Sequence, residues 1–288
     1  MKTIPFGATV FFQRADEFVL VEKVVERYSW LQYVEFRGEY PFFYPGKTSP
    51  SEIQYFKTIL QRHQLKSTIH ATMYDINLAT LNPWVQRGNI DCYKEFIEMA
   101  ERLEAEIVVV HAGFIHDEYA MGDEAYSLQK EVQSILGDAL QELGEYARPR
   151  GVKIALENAP VEPRHPIIDS PETHVRLLTE LNHPHVGALV DIAHARLRQV
   201  DINHYLTQVQ PYLIEIHAHN NWGEMDDHLG LHHGVIDYKS ILNKHDFTNI
   251  PFIMEIHSYE EAIETFNWLE REVISPSATS GSDSPGEG

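Results

Sequence analysis

Eight short apolar runs recur along the chain, and each stops at, or just short of, a polar residue. The runs are GATVFF ahead of Gln13, LQYV to Glu35, STI to His70 and IVVV to His111, then KIAL to Glu157, GALV to Asp191, LIEI to His217 and FIM to Glu255. Seven of the eight end in Glu, Asp or His, residues that bind metals and move protons. Stretches of helical periodicity separate them, as with Phe18, Val21, Val24 and Val25. A barrel of parallel strands gathers its C-terminal strand ends at one mouth, where active sites form. The pattern therefore predicts an α/β fold, a single (β/α)8 TIM barrel over residues 1–274. An open doubly wound sheet competes, but the chain has no Gly-rich phosphate turn to support one. Residues 275–288, SPSATSGSDSPGEG, read as a disordered tail.

The alternation also sets directions. Side chains two apart in a strand share a face, so Tyr33, Thr68, Val109, Ala155, Leu189, Glu215 and Ile253 point the same way as the terminal polar residues. Most are apolar or small, as a barrel interior requires; Glu215 is the exception and needs a polar partner. Helix starts are expected at Ser51 as cap of SEIQYFKTILQRH, at IDCYKEFIEMAERLEA after a loop through Asn89, and at Ser170 with Pro171 in the first helical position. After Asp191, a short helix is expected near 200–209.

Composition narrows the partners. A formal net charge of −20 opposes non-specific attraction to nucleic acid or an anionic membrane. No apolar stretch is long enough to span a bilayer, and no cleavage site follows the N-terminal run, so a cytoplasmic protein is expected. Cys92 is the single cysteine, so a metal site must rely on nitrogen and oxygen donors. A homo-oligomer is compatible with all of this.

Glu157, Asp191, His217 and Glu255 form a set of three carboxylates and one imidazole. That donor mix suits Mn2+, Mg2+, Co2+ or Zn2+. Each residue alone is adequately explained as a hydrogen-bonded buried polar group. Gathered at one partly buried mouth, the carboxylates repel one another, and a divalent metal relieves that repulsion. Around them stand His70 and His111 on adjacent strand ends, His194 three residues past Asp191, and Asp226 with His228 in the loop after His217. His219 reads equally as a supporting residue or a loop histidine in solvent. Arg37, Arg164 and Arg196 fall in mouth loops and, with Glu35, are candidates to meet a substrate.

The segments IHATMYDINLA, IVVVHAG, ALENAP, VDIAHA, IHAHNNWGEMDDHLGLHHGVID and MEIH, taken together, resemble the xylose isomerase-like TIM-barrel superfamily. That superfamily includes sugar phosphate isomerases and epimerases and the endonuclease IV type of abasic-site endonuclease. The resemblance to the first branch implies Glu157, Asp191, His217 and Glu255 as metal ligands, with Glu157 and Glu255 as the catalytic acid/base pair. It also implies contact of His194 with substrate oxygens. The substrate would be a small carbohydrate with a polarised carbonyl. The second branch implies a three-zinc cluster on His70, His111, Glu157, Asp191, His194, His217, Asp226, His228 and Glu255. Two departures stand out: His232 sits where a loop glycine is usual, and the loop after His70 is one residue longer. The first bears on the loop's conformation and its substrate contacts; the second, with the acidic charge, favours the isomerase or epimerase branch over the endonuclease.

Overall fold

The computed structural model describes residues 4–9, 19–41, 43–120, 125–160 and 165–275. Gln13, Arg164 and residues 276–288 of the expected tail lie outside these. Ten strands are present among the described residues: β1 (Phe6–Thr9), β2 (Tyr33–Arg37), β3 (Lys66–His70), β4 (Ile107–His111), β5 (Phe114–Ile115), β6 (Lys153–Glu157), β7 (His165–Pro166), β8 (Val186–Asp191), β9 (Leu213–Ala218) and β10 (Phe252–Met254). Eight of them close a parallel barrel in chain order, β1-β2-β3-β4-β6-β8-β9-β10 and back to β1. The short β5 and β7 pair antiparallel above the rim. The helices among the described residues are α1 (Val19–Arg27), α2 (Pro50–His63), α3 (Pro83–Leu103), α4 (Asp117–Ala120), α5 (Ala125–Ala147), α6 (Pro171–Leu181), α7 (Ile192–Leu197), α8 (Ile202–Val209), α9 (Tyr238–Lys244) and α10 (Tyr259–Leu269). The fold is thus a (β/α)8 barrel.

Strand parity divides the core in two. Outward residues such as Val108, Val110, Ile154, Leu156, Ala188 and Val190 join helix residues Phe96, Leu136 and Leu140 in one large apolar layer. Inward residues Ile107, Val109, Ala155 and Leu189 form a separate small apolar cluster. The opposite half of the interior is polar, with Thr9, Glu35, Thr68 and Glu215 all buried. A register shift between Ala188 and Leu189 lets Leu189 pair with Glu215 and Asp191 with His217.

Several helix boundaries differ from the sequence expectation. Helix α2 starts at Pro50, capped by Ser49 rather than Ser51. Proline suits the first helical position, and Ser49 with Glu52 three residues on completes a reciprocal capping box. Helix α3 starts seven residues early, at Pro83, because the Asn82 side chain accepts hydrogen bonds from the backbone N–H of Trp84 and Val85. Helix α6 begins as expected, with Ser170 capping and Pro171 first. Past Asp191 there are two helices, α7 and α8, where one was expected.

Candidate metal centre

Register brings the strand ends into pairs. His111 lies beside Glu157 across β4 and β6, and Asp191 beside His217 across β8 and β9. Asp191 also caps α7: its Oδ1 accepts the backbone N–H of His194 at 2.7 Å. One aspartate therefore ends a strand, starts a helix and fixes where His194 stands.

Four of the gathered imidazoles have their protonation pattern set by fixed acceptors. His70 Nδ1 lies 2.9 Å from the carbonyl oxygen of Ala71, His194 Nδ1 2.9 Å from that of Asn158, and His228 Nδ1 2.9 Å from that of Glu255. A carbonyl oxygen only accepts, so each Nδ1 carries the hydrogen and each Nε2 faces the cluster. His217 is reversed. Its Nε2 donates to Glu35 Oε2 at 3.1 Å, and Nδ1 faces inward.

The inward atoms converge, and few of them bond one another: His194 Nε2 pairs with Asp226 Oδ2, and His111 Nε2 with His70 Nε2 at 3.4 Å. Glu157 Oε2 lies 2.9 Å from His111 Nε2 and 3.4 Å from His70 Nε2; its Oε1 lies 3.3 Å from His194 Nδ1 and 3.7 Å from His217 Nδ1. Glu255 Oε2 lies 3.3 Å from the same His217 nitrogen. Asp226 Oδ2 lies 3.3 Å from His194 Nε2 and 3.4 Å from His228 Nε2. Yet both Glu157 oxygens, Asp191 Oδ2 and His217 Nδ1 are buried with no hydrogen-bond partner among the described residues. They are close but misdirected for hydrogen bonds. Donors around a four-coordinate ion at about 2.1 Å stand roughly 3.4 Å apart. Orphaned, converging donors at about that spacing fit a divalent cation, and the groups whose ligand atoms lie within 4.8 Å of one another include His70–His111–Glu157, His70–His217–Glu255, Asp191–His194–His219, His219–Asp226–His228 and His228–Glu255–His257.

Without a cation, protons neutralise the cluster. Burial opposes charge on His70, but Glu157 outweighs it and lifts the imidazole to about 9. His228 is likewise about 9, burial being overcome by Glu255 and Asp226. Burial raises Glu157 and Glu255, yet the charges of His111 and His228 respectively, with further imidazole contacts, hold both carboxyls well below the usual range. Glu215 goes the other way. Burial first, then the Glu35 charge, pushes it well above the carboxylate range, and both its oxygens lack a hydrogen-bond partner among the described residues.

All nine residues of the larger expected set meet at this mouth. Two further histidines join them. His219 is fully buried, both ring nitrogens without hydrogen bonds among the described residues, its Nε2 3.1 Å from Asp191 Oδ2. His219 stacks on His228 at 3.9 Å and His228 on His257 at 3.8 Å. Both were legible in principle: His219 and His257 stand two residues past His217 and Glu255, where strand parity continues inward. The expected substrate contacts fare differently. Glu35 is fully buried, its oxygens engaged by Thr9, Thr68 and His217, so it presents no surface to a substrate. Arg37 Nη1 donates to His257 Nε2 at 3.0 Å, and Arg196 is exposed on α7.

A cavity of about 420 Å3 adjoins the cluster, lined by Met73, Tyr74, Ile76, Phe114 and Ile168 with His111 and Glu157 at its base. Asn77 fixes its wall: Oδ1 accepts from Phe114 N–H at 3.2 Å and Nδ2 donates to the Phe114 carbonyl at 2.9 Å. A hollow of about 810 Å3 between α5 and α6 is larger. It lies away from every strand end, so chemistry rather than volume locates the site.

The architecture is a parallel barrel with a histidine–carboxylate cluster at its C-terminal mouth. The profile of the xylose isomerase-like TIM barrel family matches residues 31–272, and the chain belongs to that family. A Methanocaldococcus jannaschii protein described as uncharacterized is 29% identical over 198 residues, 68% of this chain. The match spans 65% of that relative's length, just under two thirds. A second uncharacterized protein from the same organism is 25% identical over 206 residues, 72% of this chain and 75% of its own length. Among solved structures, a D-tagatose 3-epimerase-like protein superposes with a TM-score of 0.81 at 25% identity, covering 93% of this chain and 96% of that one. A Thermus thermophilus protein soaked with ZnCl2 gives 0.73 at 18% identity, covering 94% and 99%. D-psicose 3-epimerase with D-tagatose, from Clostridium cellulolyticum, gives 0.72 at 16%, covering 95% and 92%. At such identities the last two speak for the fold alone.

Proposed function

We propose that the protein is a divalent-metal-dependent isomerase or epimerase of a small sugar or sugar phosphate. The observation that carries this reading is the placement of Glu157 and Glu255, which flank His217 Nδ1 from the ends of two different strands among orphaned donors. The similarity to a D-tagatose 3-epimerase-like structure supports the same reaction class. Glu157, Asp191, His217 and Glu255 would hold the cation. Mn2+, Co2+, Mg2+ and Zn2+ all suit three carboxylates and one imidazole. A bound divalent cation supplies the positive charge that polarises a carbonyl and makes the neighbouring C–H acidic.

The proton work falls to the two glutamates. One carboxylate removes the proton from the carbon beside the carbonyl, and the other carboxyl returns one from the opposite side, or to the next carbon. Return to the same carbon inverts it; return to the next carbon isomerises the sugar. Both groups sit low enough to be bases at neutral pH. The imidazole of His194, pinned by Asn158 and the Asp191 cap, stands beside Glu157 to meet substrate oxygens. The cavity walled by Met73, Tyr74 and Phe114 would take the rest of the carbohydrate.

Substituting Glu255→Gln tests the assignment. The expected result is a fall in kcat of about 10²–10⁴-fold with the far-UV circular dichroism unchanged. Retained turnover removes Glu255 from the mechanism.

A second reading has one specific observation in its favour: all nine residues implied for a three-zinc phosphodiesterase converge. Hydrolysis at abasic DNA would use them. The net charge of −20 opposes it, because duplex binders draw most of their affinity from Lys and Arg on phosphates. Metal stoichiometry, together with nicking of an abasic duplex, separates the two readings.

A further inference from the structure

Below the cluster lies a carboxylate with no part in proton transfer. Glu35, in the middle of β2, is fully buried and tied to three neighbouring elements. Thr9 Oγ1 of β1 donates to its Oε1 at 3.0 Å, Thr68 Oγ1 of β3 donates to its Oε2 at 3.2 Å, and His217 Nε2 of β9 donates to Oε2 at 3.1 Å. The two threonines fix the carboxylate from either side of its own strand. The third bond crosses the barrel interior to the imidazole.

We infer that Glu35 is a positioning residue that holds His217 with its hydrogen on Nε2 and its Nδ1 lone pair in the cluster, between Glu157 and Glu255. The inference rests on the metal-dependent reading of the site. His217 is set apart from the other anchored imidazoles. His70, His194 and His228 are each fixed through Nδ1 by a backbone carbonyl, which no substitution removes. His217 is fixed through Nε2 by a side chain, and its Nδ1 lies 3.3 Å from Glu255 and 3.7 Å from Glu157 with no hydrogen bond of its own among the described residues. A carboxylate behind an imidazole fixes the ring's orientation and tautomer and makes the free nitrogen a stronger donor. Without Glu35 the ring is free to turn or to move its hydrogen to Nδ1, which withdraws the donor from the cluster.

The test uses the full chain and two substitutions. In Glu35→Ala, affinity for the tightest-bound Mn2+ or Zn2+, read by chelator competition, is expected to fall about 10–100-fold. In Glu35→Gln the amide oxygen still accepts from Nε2–H, so most of the affinity is expected to return. Burial lowers the His217 imidazole but Glu35, Glu157 and Glu255 hold it well above its ordinary value, so tautomers are read on metal-free protein by long-range 15N–1H correlation of the histidine rings at a pH raised until the His217 ring carries a single hydrogen. Wild type and Glu35→Gln should show His217 as the Nε2–H form, and Glu35→Ala a shift towards Nδ1–H. A purely structural role for Glu35 changes stability but leaves the tautomer alone. Equal affinity and the same tautomer in wild type and Glu35→Ala overturn the inference. If Glu35→Ala does not fold, Glu35→Gln and Thr68→Val decide it: the first should keep the tautomer and the second loosen it, and a tautomer indifferent to both overturns the claim. If wild type binds no divalent ion, the metal-dependent reading fails, and the tautomer measurement judges the positioning claim separately.

Discussion

At the residue scale, the site is an arrangement of hydrogens as much as of residues. Backbone carbonyls at Ala71, Asn158 and Glu255 hold the Nδ1–H of three imidazoles and leave their Nε2 atoms facing the cluster. In the metal-free protein His70 and His228 keep their second proton up to about pH 9. His217, the imidazole of the proposed ligand set, is also held well above its ordinary value, burial being outweighed by Glu35, Glu157 and Glu255, and a cation must displace its proton, because only the neutral imidazole is a ligand. Metal affinity is therefore expected to rise as pH is raised above neutrality, and binding at pH 7 to release protons. Calorimetry in two buffers of different ionisation enthalpy checks this. A heat that is the same in both contradicts it.

The residue scale also shows what a sequence conceals. Glu157, Asp191, His217 and Glu255 were legible because a strand end converts position in the chain into position in space. Glu35 ends an apolar run too, yet it lies one layer down, since β2 continues two residues further to Arg37. The run marks the strand but not the height at which the barrel opens. His219 read as an ambiguous loop residue because the strand ends at Ala218, although its side chain continues the inward alternation.

At the element scale, hidden boundaries have local causes. The first turns of α3, PWVQRGN, place Trp84 and Val85 in solvent, so no apolar stripe marks them as helix. The outer helices carry their own titration. His174 of α6 is fully buried against α8, its Nδ1 3.2 Å from the Tyr205 hydroxyl. Burial pushes this imidazole down to about 4. As pH falls below its ordinary 6.5, the unfolded chain takes up a proton that the folded protein refuses. Stability is thus full above pH 6.5 and declines as pH falls towards 4, by roughly 3 kcal/mol from this group. Melting temperatures of wild type and His174→Leu across that interval should converge as pH drops. Parallel curves contradict the assignment.

At the scale of the whole molecule, the barrel separates duties by face and height. The outward layer of the strands and the helices that cover it are apolar. Inside, one half is filled by Ile107, Val109, Ala155 and Leu189, and the other by Thr9, Glu35, Thr68 and Glu215. The polar half underlies His217, so support for that imidazole comes from the barrel itself rather than from a loop. No helix among the described residues is long and apolar enough to cross a membrane. The alternation of eight runs made this architecture readable, because parallel strands need crossover helices and leave one shared mouth.

The central claim joins a metal to a proton transfer, and one measurement tests both. Metal-loaded protein is incubated in D2O with a panel of ketoses and their phosphates, and product is followed by NMR. The account expects an epimer or isomer carrying deuterium at the inverted or newly protonated carbon. Chelation should abolish the conversion, and added Mn2+, Co2+, Mg2+ or Zn2+ should restore it. No conversion of any sugar with the metal-loaded protein, alongside metal-dependent nicking of an abasic duplex, would contradict the account.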